Sequence, residues 1–343
     1  MGRSTPAPHA PHFETLWQIT PRRDRRDPEA FCQKLFESAV KTVELWIPIT
    51  IAAAFLQNLR STLQKHLKGV MGTTGATFVR FGYGVPFALL YWLILIWGLG
   101  FDLPELSLKF ALWTVIGALA QIGATFLLVH LFSFRNFTVG TAYSRTEPMQ
   151  TAIFAFVLFG ATFTLGAIFA ICIAVVGVML ISVAQTKITP RSLILSVFTK
   201  TALIGLGAGT LFGLAAIGFQ TAARSVISPD FVVQAATTLL VGISFQTVVM
   251  LSYMRLKDPE EITRVRAAWK PALMVGFVGA TATFGWFAAF TLQQAALVKV
   301  LAQVELLFTF ASSIFFFKER LNRIEVIGCV LIVGSIICLI LVS

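Results

Sequence analysis

The feature that most constrains this chain is a succession of long, continuously apolar runs separated by short polar breaks. The runs cover about residues 45–63, 74–97, 108–132, 138–158, 163–184, 201–221, 231–253, 271–291, 295–317 and 322–342. Each is long enough to cross a hydrocarbon core of about 30 Å as a helix. In lipid every backbone polar group must be satisfied within the chain, so only helices and closed barrels span it. Barrel strands alternate apolar and polar residues over about ten positions, and these runs do not alternate. The sequence therefore predicts an all-α integral membrane protein of ten transmembrane helices. Composition agrees: 57% of the 343 residues are hydrophobic, 13% are charged, and the mean hydropathy is +0.81. A soluble enzyme departs from both figures.

Residues 1–44 read differently. They hold Pro6, Pro8, Pro11, Pro21 and Pro28 and the basic run Arg22-Arg23-Asp24-Arg25-Arg26. This is a basic, Pro-rich tail, followed by a segment with Phe31, Leu35, Phe36, Ala39, Val40 and Val43 on one side, which fits an interfacial helix. The net charge of +11 sits mostly at span ends, where basic residues meet water and lipid headgroups. No nucleic-acid signature accompanies it. Cys32, Cys172, Cys329 and Cys338 lie outside metal-ligand spacing of one another, so neither a metal site nor a disulfide framework is expected.

Laying Gly84 on Gly242 brings the second half onto the first without a gap. At that one offset Ala124-Thr125-Phe126 meets Ala282-Thr283-Phe284, Glu147 meets Glu305, Thr151 meets Thr309, Phe159 meets Phe317 and Val175 meets Val333. A Glu matched by a Glu inside two apolar runs is the least accidental of these. The reading is a five-helix repeat over 45–184, a linker over 185–200 and a second five-helix repeat over 201–343. An odd number of spans inverts the second repeat, which is a recurrent architecture of secondary transporters with a binding site between the halves.

Phe315-Phe316-Phe317-Lys318-Glu319-Arg320-Leu321, followed by Ile327-Gly328 and an aliphatic run to Gly334, resembles the last helix pair of the ten-helix, EamA-type branch of the drug/metabolite transporter superfamily. Arg80 and Pro148 resemble an arginine and a proline of that branch. Ala161 and Leu306 depart from it, standing where a loop Glu and a second proline belong. The resemblance implies a secondary transporter, often an exporter, of small metabolites; its branches carry amino acids, purines, sugars, nucleotide sugars and other solutes, so the substrate does not transfer. The expectation is alternating access, in a bacterial inner membrane because no organelle-targeting signal is evident. The resemblance also implies cytoplasmic termini. The basic residues concentrate in loops after odd-numbered spans, from Lys65 and Lys68 to Arg255–Lys270, which favours the opposite orientation. The sequence leaves that choice open.

Ionisable groups inside a membrane are expensive and usually functional. Glu147 and Glu305 are the first candidates for substrate contact or coupling. Helical spacing puts Ser144, Glu147, Gln150 and Thr151 on one face, and Ala302, Glu305 and Thr309 on another. Burial disfavours a charged carboxylate, which would suit protons as the coupling ion. Arg145 and Lys299, with Gln303 beside them, either hold a charged solute or neutralise the two carboxylates across helices. Arg80 reads as a snorkelling or structural arginine. Gly205, Gly207, Gly209 and Gly213 read as a packing stripe. No phosphate-binding loop or catalytic set is present, so no cofactor, ATP drive or enzyme activity is expected. The expected partners are a small-molecule substrate, membrane lipid and protons, with the chain a monomer or homodimer. A lipid translocator or receptor-like membrane protein is the alternative.

Overall fold

In the computed structural model, residues 45–134, 137–186, 198–308 and 323–342 are described, with backbone alone at 137–139, 183–186 and 342. The tail at 1–44, most of the linker, and the motif Phe315–Leu321 lie outside the described residues, as do Thr309 and Phe317. The fold is that of the unit Trp46–Ser343.

Every described element is a helix. Among the described residues, seven helices are long and apolar enough to cross a membrane by length and composition: Thr73–Gly98, Leu108–Leu131, Leu165–Ser182, Lys200–Ala223, Phe231–Lys257, Trp269–Leu292 and Arg323–Leu341. The other three predicted runs differ for stated reasons. The first forms α1 (Trp46–Leu67), 22 residues long, but Gln57, Asn58 and Arg60 make it too polar to join that set. The fourth and ninth runs are not continuous helices. The fourth splits into α5 (Phe137–Ser144) and α6 (Glu147–Phe159). The ninth gives α12 (Ala295–Leu301) and then, after a turn, helical residues 304–308.

The second run is also interrupted. It forms α2 (Thr73–Gly82), then α3 (Val85–Leu93) ending in a π turn at Ile94–Gly98. Pro86 in the first turn of α3 has no N–H to continue the α2 ladder. The remaining helices are α4 (Leu108–Leu131), α7 (Leu165–Thr186), α8 (Lys200–Ala223), α9 (Phe231–Lys257), α10 (Pro259–Ala267), α11 (Trp269–Leu292) and α13 (Arg323–Val342). α6 stops at Gly160, whose φ of 62° suits glycine.

Three pairs of helix starts keep the sequence offset, whereas α1 and α8 (Trp46, Lys200) and α4 and α11 (Leu108, Trp269) do not. α2 and α9 begin at Thr73 and Phe231, α5 and α12 at Phe137 and Ala295, and α7 and α13 at Leu165 and Arg323, these three pairs separated by the same interval. Packing runs between the two halves: α4 lies along α8, α1 along α11, α7 along α13, and α9 against α2 and α3. Small residues permit this. Gly205, Gly209 and Gly213 form one stripe of α8 that receives α5 and α6. A Cβ on Gly205 would land on the backbone of Gly140, one on Gly209 would sit 3.0 Å from the Ser144 carbonyl, and one on Gly213 would sit 3.1 Å from Thr151 Oγ1. Gly207 faces Leu127 of α4 instead, with ordinary clearance.

The polar break Arg255–Lys270 was expected as a loop and contains α10. Its Glu261 is 1% exposed. The carboxylate accepts the backbone N–H of Gly72 at 2.7 Å and of Gly75 at 3.2 Å, and pairs with Arg264 at 2.6 Å. A carboxylate there complements the positive end of α2. Glu261→Ala removes an acceptor from two backbone donors and is expected to lower stability by about 1–3 kcal/mol. Thermal melting of the purified protein in detergent reads this as a lower midpoint, and an unchanged midpoint would show that the link contributes nothing.

Candidate functional site

The site grows from the two broken helices. In the first, Pro148 cannot donate to the carbonyl of Ser144, and its ring crowds that carbonyl. The chain therefore leaves the α-helix one turn earlier. Arg145 N–H bonds to the Ala142 carbonyl at 3.1 Å instead of reaching Thr141. The Ser144 hydroxyl then donates to the Thr141 carbonyl at 2.8 Å. The second break has no proline, yet repeats the geometry at the equivalent place in the second half. Gln303 N–H bonds to Val300 at 3.1 Å, and the Gln303 side-chain amide donates to the bypassed Lys299 carbonyl at 3.2 Å. Two different side chains thus satisfy the equivalent carbonyl. A carbonyl buried without such a partner would be costly.

Each break sets a cation and a carboxylate near the other half. Arg145 pairs with Glu305, whose side chain is 8% exposed. Lys299 Nζ stands 2.8 Å from Glu147 Oε1, but off the line of a hydrogen bond. The same ammonium lies 4.6 Å from the Trp286 ring centre and 5.8 Å from that of Phe290. Lys299 is therefore shared between a carboxylate and two aromatic faces. Both ion pairs run between the fourth and ninth runs.

These four residues and Ser144 line a cavity of about 360 Å³, within the range of small-molecule sites. It extends from Lys65 and Phe132, at the ends of α1 and α4, to an aromatic floor of Phe219, Phe287 and Phe290. The rings of Phe219 and Phe287 are 4.5 Å apart between centres. Trp286 is held in place by its indole N–H, which donates to Gln57 Oε1 at 3.0 Å. Beneath the floor α8 is tied to the end of α11. Gln220 donates to the Gln293 and Phe290 carbonyls at 2.8 and 3.2 Å, and Arg224 donates to Phe290 at 3.1 Å.

Residues 199–341 match the model of the EamA-like transporter family. That segment is similar to EamA-like transporters. That match is consistent with the drug/metabolite transporter superfamily, whose members are membrane transporters. With its apolar helices, the chain is a multi-pass membrane protein. No curated protein matches it. Twenty-eight chains of known structure do. One, described only as the crystal structure of a protein, superposes with a TM-score of 0.62 at 16% identity, covering 87% of this chain and 97% of its own. At that identity the likeness concerns the fold alone.

The expected site residues separate into two groups. Glu147, Glu305, Arg145, Lys299 and Ser144 meet at the cavity. Gln150 and Gln303 are not among its lining residues. Gln150 donates to Thr146 Oγ1 at 2.7 Å and lies against Gly209, while Gln303 serves the break as described. The single face drawn through Ser144, Glu147, Gln150 and Thr151 fails because helical spacing does not carry across the turn at 145–146. Arg80 is 4% exposed and lines the cavity, so it is not snorkelling. Arg60, also 4% exposed and lining it, was missed altogether. The signal was available, since Arg60 is a lone charge inside the first apolar run.

Proposed function

We propose that this protein is a secondary active transporter that exports a small polar metabolite, an amino acid or related solute, across a bacterial inner membrane. The proposed architecture is ten transmembrane helices as two inverted five-helix repeats. The offset shared by three pairs of helix starts and the packing of each half against the other support it. So does the matched pair of broken helices, a device that gathers charged groups and free helix ends at a transporter's midplane site.

The observation that carries the reading is the crossed pairing, Arg145 with Glu305 and Lys299 with Glu147, at the wall of one cavity. Each carboxylate holds a cation from the other half. A proton delivered to Glu147 or Glu305 removes the charge that holds its partner and frees Lys299 or Arg145 for the solute. The carboxylate-neutralising and solute-holding roles of the two cations are then two states of one cycle. The aromatic floor and the Gln220 and Arg224 bonds close one end of the cavity while the other is reached past Lys65. Alternating access exchanges these ends. No ATP-binding element is needed, because proton and solute gradients supply the drive.

The test is untargeted mass spectrometry of the medium from cells expressing the wild type or Glu147→Gln/Glu305→Gln at equal membrane abundance. A small set of solutes is expected to be released by the wild type, with release by the variant reduced at least about tenfold, the usual order for loss of a positioned proton-transfer group. Equal release by both would remove the carboxylates from the mechanism.

A further inference from the structure

Beyond the cations of its two ion pairs, the cavity is lined by two buried arginines, Arg60 and Arg80. Among the described residues, five cations line it (Arg60, Lys65, Arg80, Arg145 and Lys299) against two carboxylates. Arg145 and Lys299 already hold Glu305 and Glu147. Arg60 and Arg80 come from α1 and α2, and each is 4% exposed. Arg80 Nη1 donates to Thr125 Oγ1 at 3.0 Å, a neutral partner. Arg60 Nη2 lies 3.5 Å from the Ser61 hydroxyl, and its Nη1, buried, has no hydrogen-bond partner. Glu305 is near enough to attract Arg60, but it is bonded to Arg145. A buried guanidinium with an orphaned donor is costly unless something accepts from it.

The two side chains are seated side by side. A Cβ on Gly279 of α11 would lie 3.2 Å from Arg60 Cδ and 3.6 Å from Arg80 Cγ, so glycine leaves the room that both stems occupy. The offset between the halves gives this pair no counterpart. Arg60 maps to Gly218, Arg80 to Thr238, and Gly279 itself to Gln121. The ion pairs span both halves, whereas the arginine pair belongs to one wall.

The geometry points to an oxyanion site: Arg60 and Arg80 bind the carboxylate or phosphate group of a small organic anion, whose apolar part rests on the Phe219, Phe287 and Phe290 floor. This rests on the transport reading of the cavity and narrows its substrate to anionic solutes. Guanidinium forks suit both oxyanions, because two N–H groups meet two oxygens.

The test is thermal unfolding of the purified full-length protein in detergent at constant ionic strength. The probes are succinate, inorganic phosphate and a hexose phosphate at millimolar concentration, with leucine as zwitterion and putrescine as cation. At least one of the anions is expected to raise the midpoint by several degrees, as a ligand bound only to the folded state does, while leucine and putrescine do not. Arg60→Gln and Arg80→Gln are expected to need about tenfold more anion for the same shift, the loss of one charge-assisted bond. Gly279→Ala, which keeps both charges but crowds the stems, should also weaken binding, and Arg60→Lys should retain part of it. The assignment is overturned if no anion stabilises the wild type, if leucine or putrescine does so equally, or if the arginine variants shift as the wild type does. The carboxylate and phosphate arms decide which oxyanion fits. Release of neutral or cationic solutes that depends on Glu147 and Glu305 would sink the anion assignment and leave transport standing. Anion binding without any release would do the reverse.

Discussion

Lys299→Met is expected to destabilise the folded protein by about 3–5 kcal/mol, the usual consequence of stranding one charge of a buried pair. The ammonium it removes lies 2.8 Å from Glu147, and the two side chains are 11% and 16% exposed, so little water reaches the carboxylate left behind. The double variant Lys299→Met/Glu147→Gln strands no charge and should recover most of that loss. Arg145→Met should have a smaller effect: the Glu305 left behind is only 8% exposed, but Arg60 remains near enough to attract it. Thermal melting of the three variants beside the wild type gives the stabilities. Metabolite release gives function, which the double variant is not expected to regain. Equal melting of the single and double Lys299 variants would show that the pair is not energetically coupled. Recovery of release in the double variant would show that its charges serve only the fold.

The second large effect is expected at Gly205. Alanine is ordinarily the better helix former by roughly 0.5–1 kcal/mol, so Gly→Ala in α8 should stabilise wherever there is room. At Gly207 there is room, since the nearest atom to a new Cβ is Leu127 Cδ1 at 3.5 Å. At Gly205 there is none, because the Cβ would fall on the Gly140 backbone, which cannot swing aside as a side chain would. Gly205→Ala is therefore expected to lower stability by about 1–3 kcal/mol, the range for overpacking, while Gly207→Ala leaves it equal or higher. Gly140 lies in α5, which carries Ser144 to the cavity, so release should fall with stability in the first variant alone. Equal melting of the two would show that α5 shifts away from α8 freely.

These two cases mark where sequence reasoning reaches. The stripe of α8 glycines was legible as packing, but its spacing did not say that Gly205, Gly209 and Gly213 face the broken helix while Gly207 faces α4. The ion pairs were half legible. Two glutamates and two cations in apolar runs had to be satisfied somehow, and neutralisation across helices was one of two open readings. Which cation meets which carboxylate depends on a turn at 145–146 and another at 302–303, and only the first carries a proline to announce it. The second is held by a glutamine side chain that could equally have faced a cavity.

Arg60 shows the same limit. The sequence placed it in an apolar run, where the expense of an intramembrane charge could have flagged it but did not. Nothing local tied it to Arg80 on the next run, or to the glycine on α11 that leaves space for both. By itself the sequence determined that the chain is helical and membrane-embedded, because continuous apolar runs of this length leave the backbone no other way to satisfy its polar groups in lipid. It also supplied the identities recurring at one offset on which the proposed repeat rests. Tertiary structure alone decided where the helices break, which charges pair and which arginine keeps an unused donor. Those outcomes are set by contacts between residues far apart in the chain, whose distances no local pattern encodes.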